Sequence, residues 1–297
     1  MTTPPLDALL AQALGGVYAV QRELGGGGMS RVFLATEQAL NRDVVIKVLP
    51  PELAAGMSIE RFRREIQLAA KLQHPHIVPV LAAGEVNGLP YFTMPYVAGS
   101  SLREMMRSGA PVAIPEAVRI LRDVASALAH AHAHGVVHRD IKPDNVLLSG
   151  GAAMVTDFGI AKAVTTARTR TGEAGDTLTR IGTSLGTPAY MAPEQAAGDP
   201  ATDHRADLYS LGVMAYEMVS GQPTFAASTP QGLLAAQMSE MPPPLDTRRA
   251  DVPPALAALV AACLAKDPAL RPPDADAVVR ALDGVGADGG RRSAPYG

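Results

Sequence analysis

Cysteine is almost missing from this chain: a single one, Cys263, stands among 297 residues. That excludes an intrachain disulfide framework and a Cys-based zinc site, and it predicts a reducing compartment. A charge excess of one sign is also missing. With 26 Lys+Arg against 29 Asp+Glu the net charge is −3, so nothing electrostatic argues for nucleic acid or an anionic membrane as partner. No apolar run approaches the ~18 residues of a membrane span, and the N-terminus lacks the basic-then-apolar order of a signal peptide. Charged residues amount to only 19% against 47% hydrophobic ones, which excludes a disordered chain. The expectation is a cytoplasmic, globular protein of one large or two modest domains, with no membrane contact within this chain.

What is present changes character along the chain. Val17–Val20 and Arg31–Ala35 are short β-prone runs joined by Gly25-Gly26-Gly27-Gly28, which predicts a hairpin. Val44–Leu49 predicts a third strand, ended by Pro50-Pro51. Residues 58–72 switch to helical spacing, with Ile59, Phe62, Ile66, Ala69 and Leu72 inward. Further strands are expected at 77–83 and 89–97. After Gly99 the pattern is helical: Pro115–His134, then 205–220, 229–238, 254–265 and 274–283. The stretch 163–184 is polar and rich in Thr, Gly and Arg, so a long loop is expected there.

Several residues carry chemistry. Missing side chains at Gly25 and Gly27 let backbone N–H groups approach phosphate oxygens, with Val32 placed to cap a flat base. The plain alternative is a Gly-rich hairpin turn. Strand alternation puts Lys47 beside Val45 and opposite Ile46 and Val48, aimed into a cleft where it needs an anion. A Lys snorkelling from a strand edge is the competing reading; Glu65 on the next helix is the candidate partner. Within six residues, Asp140, Lys142 and Asn145 offer a carboxylate, an ammonium and a carboxamide. That set suits phosphoryl transfer: the first orients a hydroxyl, the second neutralises the moving group, the third binds a hard cation. Asp157-Phe158-Gly159 adds a second hard oxygen ligand.

Residues 18–282 resemble the bacterial eukaryotic-like serine/threonine protein kinases. The family's elements occur in order: the Gly-rich loop 25–32, Val44-Val45-Ile46-Lys47, Glu65, His138-Arg139-Asp140-Ile141-Lys142-Pro143-Asp144-Asn145, Asp157-Phe158-Gly159 and Ala192-Pro193-Glu194. The resemblance implies an α+β, two-lobed fold. An extension over 1–17 precedes an N lobe over 18–95 with an antiparallel sheet and one main helix. A hinge follows near 95–98, then a mostly helical C lobe over 99–282 and a flexible tail over 283–297. It further implies ATP and Mg²⁺ (or Mn²⁺) as cofactors and protein substrates as partners. Nucleotide contacts fall on Leu24, Gly25, Gly26, Gly27, Gly28, Met29, Ser30, Arg31, Val32, Val45, Lys47, the gatekeeper Met94, and the hinge backbone at Pro95 and Val97. Lys47 is expected to pair with Glu65, Asp140 and Lys142 to act in catalysis, and Asn145 and Asp157 to bind metal. His138, Arg139, Phe158, Gly159, Thr187, Asp207 and a Glu194–Arg271 pair take structural or regulatory roles. Thr177, Thr179 and Thr183 are candidate phosphosites, with Thr179 and Thr183 preferred, modified in trans within a transient homodimer. Ser30 departs from the family in replacing a third Gly, and Val45 in replacing Ala.

Other features keep plain readings. His130, His132 and His134 alternate with Ala; an i,i+4 pair binds metal in some proteins, but a solvated helix end is expected here. Cys263 is expected to be a buried thiol.

Overall fold

The computed structural model describes residues 6–27, 30–55, 57–168 and 188–291. Its first sheet comprises β1 (Tyr18–Gly27), β2 (Ser30–Glu37), β3 (Arg42–Val48), β4 (Ala82–Val86) and β5 (Leu89–Pro95), in the order β1-β2-β3-β5-β4, every pair antiparallel. Period-two alternation divides β3 between two environments. Val44, Ile46 and Val48 pack with Phe33 and Val86 on the outer face, whereas Val45 packs with Met94 on the inner one. The extension contributes a helix, α1 (Leu6–Leu14), whose Leu6 and Leu10 close the outer face. The strand expected at 77–83 is displaced: Ile77 makes only a bridge to Val155, and pairing begins at Ala82.

Beneath the sheet lie α2 (Pro51–Ala54) and α3 (Ile59–Ala69), the latter N-capped by the Ser58 hydroxyl. Phe62 and Ile66 of α3 are almost wholly buried against Leu49 and Phe92.

A narrow connection leads to β6 (Ser100–Ser101), which pairs with β7 (Val146–Ser149), and β7 with β8 (Ala152–Val155). Gly99 is required there, because its φ is +152° and an added Cβ would lie 2.0 Å from the Leu148 carbonyl. The larger part is helical: α4 (Leu102–Met106), α5 (Ile114–Ala133), α6 (Ile160–Arg168), α7 (Pro193–Ala196), α8 (Arg205–Ser220), α9 (Pro230–Ser239), α10 (Leu245–Arg248), α11 (Pro254–Cys263) and α12 (Ala275–Arg291). Helix α8 is buried nearly all round and forms the centre of this core, touching α5 and α11. No helix among the described residues is long and apolar enough to cross a membrane.

Two expectations are corrected. The tail is not free from 283, since α12 continues to Arg291. Val278, Leu282 and Val285 form one buried stripe, and Arg122 bonds Asp283 at 2.6 Å; glycines at 284, 286, 289 and 290 obscured that spacing. The loop expected from 163 does not begin there either. Ile160, Ala163, Val164 and Ala167 form an apolar stripe at helical spacing that packs α6 against Phe62 and Ile66 of α3.

Candidate active site

The glycine-rich hairpin lies at one end of the sheet. Gly25, Gly26 and Gly27 pair with Val32, Arg31 and Ser30, and Gly25 has φ +125°; Gly28 and Met29 lie outside the described residues. Leu24 is partly exposed at the rim. The Arg31 side chain does not face the cleft. It bonds Glu23 bidentately (2.8 and 2.6 Å) and lies over the ring of Phe33, an outer-face residue, so only its backbone faces the hairpin.

On the inner face Val45, Val78 and Met94 are buried together, with Val32, Val97, Leu147 and Met154 packed against them. This apolar slot sits beside the connection at Pro95–Gly99 and between the two parts of the molecule. Val78, Leu147 and Met154 escaped sequence reasoning. Their signal was weak: single apolar residues in short strands read equally well as ordinary core.

The loop over residues 138–145 is held from below by a buried carboxylate. Asp207, wholly buried on α8, accepts from the His138 N–H (2.8 Å), the Arg139 N–H (2.7 Å) and His132 Nε2 (2.8 Å). Burial alone would raise its pKa, yet the His132 contact and these donors hold it below the ordinary carboxylate range. The arrangement holds Arg139 at φ +69°, a left-handed conformation that a non-glycine residue keeps only when its surroundings enforce it. His132 is therefore a buried structural ligand of Asp207, not part of a solvated helix end. His138 donates through Nε2 to the Thr156 carbonyl (2.8 Å) and accepts the Asp140 N–H at Nδ1 (3.2 Å); its ring meets Phe158 edge-on at 4.7 Å.

On this platform the chemical groups converge. Lys142 Nζ lies 2.8 Å from Asp140 Oδ2, and Asn145 Nδ2 donates to the Asp140 carbonyl (2.8 Å) and to Oδ2 (3.0 Å). Burial pushes the Asp140 carboxyl upward against the opposing pull of Lys142. The Asn145 amide nitrogen is committed, which leaves its Oδ1 without a hydrogen bond among the described residues.

The expected Lys47–Glu65 pair is not formed. Lys47 Nζ instead bonds both oxygens of Asp157 (2.8 and 2.6 Å), and Glu65 pairs with Lys162 of α6 at 3.0 Å. The reason is α6: docked on α3, it brings a second ammonium to Glu65, while Asp157, itself at φ +69°, takes Lys47. Thr156 Oγ1 lies 3.2 Å from Met94 Sδ. Gly159 has φ +72° and approaches Ala69 of α3 closely.

Further out, Arg271 meets Glu194 bidentately at 2.6 and 2.7 Å and also donates to the carbonyls of Ala265, Arg205 and Lys266. Thr177, Thr179, Thr183 and Thr187 lie outside the described residues. Cys263 is buried, which raises its thiol pKa to about 12.

A β-rich part and a helical part, with an apolar slot, a paired Lys–Asp and a carboxylate–ammonium–carboxamide loop between them, define the architecture of a protein-kinase-type domain. The family model described as "protein kinase domain" matches residues 18–281. The chain belongs to that family. It is similar to serine/threonine-protein kinase PknB of Mycolicibacterium smegmatis, 42% identical over 90% of this chain and 41% of that protein. Serine/threonine-protein kinase pkn3 of Myxococcus xanthus is 38% identical over 96% of this chain and 53% of its own length. PknB of Mycobacterium tuberculosis is 40% identical over 84% and 40%. The chain thus spans roughly two-fifths to half the length of these curated relatives.

Proposed function

We propose that the chain is the catalytic domain of a serine/threonine protein kinase, moving the γ-phosphate of ATP to Ser and Thr hydroxyls of proteins, its own activation segment among them. The observation that carries this is the interlock of Asp140, Lys142 and Asn145 on a loop fixed by Asp207. Asp140 orients the acceptor hydroxyl and takes its proton, and Lys142 neutralises charge on the transferring phosphoryl group. Adenine lies in the slot under Val32 and Val45, beside the gatekeeper Met94, and meets the Pro95 carbonyl and the Val97 backbone. Pro95 has no N–H, so only its carbonyl is available.

The hard oxygens of Asn145 and Asp157 fit Mg²⁺, which binds a few protein oxygens alongside phosphate and water, and Mn²⁺ fits the same donors. When bound, the cation neutralises phosphate charge; the Lys47 ammonium against Asp157 supplies a positive charge in the structure described here. Once Lys47 leaves Asp157 it is free to reach the α- and β-phosphates and to pair with Glu65.

Arg139 Nε is buried without a partner among the described residues, which suits an incoming phosphate on Thr179 or Thr183, with Thr177 as a further acceptor. That modification in trans requires a transient dimer. We place the domain at 18–282, working in the cytoplasm, with protein rather than nucleic-acid partners. A continuation into a membrane-anchored sensor agrees with the greater length of the relatives. A nucleotide-binding scaffold without activity is disfavoured by the presence of Lys47, Asp140, Asn145 and Asp157. A small-molecule phosphotransferase is disfavoured by the 186–194 segment.

The test is incubation with ATP, Mg²⁺ and a protein acceptor, followed by peptide mass spectrometry. Phosphate on Ser and Thr supports the reading, and phosphate confined to small molecules or absent altogether overturns it.

A further inference from the structure

Four of the seven histidines gather where the loop between α3 and β4 meets the C-terminal end of α5, and none of them takes part in the chemistry above. His74 and His76 come from the loop, His130 and His134 from the helix end. The His74 ring stacks on that of His130 at 5.1 Å between centres; His130 stands 4.4 Å from His134, and His74 stands 5.5 Å from His76. No group of His, Cys, Asp or Glu among the described residues is set to hold a metal ion. His130 Nε2 is buried without a hydrogen-bond partner among the described residues, whereas His134, whose Nδ1 donates to the His130 carbonyl (2.8 Å), is exposed and opens the cluster to water.

The bonds around His74 define its protonation state. Its Nδ1 accepts the His76 N–H at 3.2 Å, so the ring's own proton sits on Nε2 and is donated to Ser126 Oγ at 3.3 Å. A proton added at Nδ1 leaves two N–H groups facing each other. The carboxylate of this neighbourhood, Asp123 of α5, is engaged elsewhere: Oδ1 stands 3.5 Å from His76 Nε2, and Oδ2 accepts from the Ala153 N–H (2.9 Å) and Arg119 Nη1 (3.2 Å). Burial, and then the neighbouring His130 and His76, hold the His74 imidazole below the ordinary histidine range. The turn that this ring closes also joins the two parts of the molecule. The His74 carbonyl accepts the Ile77 N–H (3.0 Å), the His76 carbonyl the Val155 N–H (2.8 Å) and the Val155 carbonyl the Val78 N–H (2.9 Å), while His76 Nδ1 donates to the Ala153 carbonyl (2.8 Å). Val78 is a wall of the apolar slot, and Val155 of β8 stands two residues before Asp157.

We propose that the histidine cluster is an acid-sensitive latch: a proton on His74 Nδ1 breaks the bond to the His76 N–H, frees the 74–78 turn from α5 and β8, and loosens the apolar slot at Val78. Because the folded chain disfavours the protonated ring, the turn's stability is complete above the unfolded histidine value near ~6.5 and is lost as pH falls through the lower, folded value. The consequence for nucleotide rests on the kinase reading; the opening of the turn does not.

The experiment compares the wild type with His74→Asn, whose side-chain oxygen still accepts the His76 N–H but takes up no proton in this range. Hydrogen exchange follows the amides of His76, Ile77 and Val78, expressed as protection relative to an unstructured chain at the same pH. Adenosine, which has no group titrating in the range, reports on the slot. Between about pH 7.5 and about pH 5 the wild-type protection should fall by at least about tenfold and the adenosine dissociation constant should rise about fivefold. In His74→Asn both should hold within about twofold, and His134→Gln should retain the wild-type fall, because His134 is not the trigger. Should His74→Asn fold poorly, nitrogen NMR shifts of the wild-type imidazoles decide instead: His74 should carry its proton on Nε2 at neutral pH and gain the second as protection is lost. Equal pH dependence in wild type and His74→Asn would make the cluster merely structural and overturn the proposal. Wild-type protection that holds across the range would overturn it too. Adenosine that binds at neither pH would strike the kinase reading alone, since exchange still decides whether the latch opens.

Discussion

Asp207→Asn tests how the fold governs the transfer loop. The native carboxylate accepts two backbone N–H groups, of His138 and Arg139, through its two oxygens, and His132 adds a third donor. Asparagine keeps one oxygen, so one of these N–H groups must face an NH₂ that cannot accept it. A buried hydrogen bond to a charged group contributes ~1.5–3 kcal/mol, and an unsatisfied buried donor costs about 1–3 kcal/mol. A loss of about 2–4 kcal/mol follows. At roughly 2–4 °C per kcal/mol for a domain of this size, the melting temperature should fall by about 5–15 °C.

The acid limb of stability should change as well. The Asp207 pKa is depressed on folding, so its stabilisation is complete above the unfolded carboxylate value near ~4 and is lost as pH falls through the folded value. The variant should therefore lose part of the wild type's acid sensitivity. Because Arg139 is released from φ +69° and Asp140 follows it, kcat should drop by at least about tenfold while the KM for ATP holds. The assays are thermal unfolding between pH 3 and 7 and steady-state phosphorylation. A melting shift below 2 °C together with unchanged kcat would refute the reasoning.

Arg271→Met removes a guanidinium that satisfies Glu194 and three carbonyls. Stranding that buried carboxylate costs about 3–5 kcal/mol, and calorimetry should register a fall of roughly 10 °C; under 3 °C would contradict the account. Lys162→Ala frees Glu65 from a partly exposed pair worth about 1 kcal/mol. The initial rate of enzyme kept free of phosphate should rise by up to about fivefold, and a lower rate would argue that α6 assists catalysis. Gly212→Ala sets a Cβ 2.7 Å from Cys263 Cβ, so overpacking of ~1–3 kcal/mol should lower the melting point without altering activity per folded molecule.

Where a residue's role depends on local pattern, the sequence was readable. Alternation placed Val45 and Lys47 on the face opposite Ile46, and α8 spans the expected 205–220. Partner choice was not readable. Lys47 had two carboxylates within reach, and the choice of Asp157 over Glu65 follows from α6 docking on α3, a contact between segments about a hundred residues apart. His132 seemed solvated because its ligand, Asp207, lies 75 positions away. Helix α12 was underestimated because glycines diluted a stripe that packing against α5 stabilises.

The central claim is that Asp140 is the group that receives the acceptor's proton. The measurement is steady-state kinetics of Asp140→Asn with ATP, Mg²⁺ and a Ser peptide, alongside nucleotide binding and melting curves. Nucleotide affinity should hold and the fold should stay intact. The value of kcat should fall by ~10²–10⁴-fold, the general-base contribution, or more, because Asp140 also orients the hydroxyl. Turnover within threefold of the wild type would contradict the account.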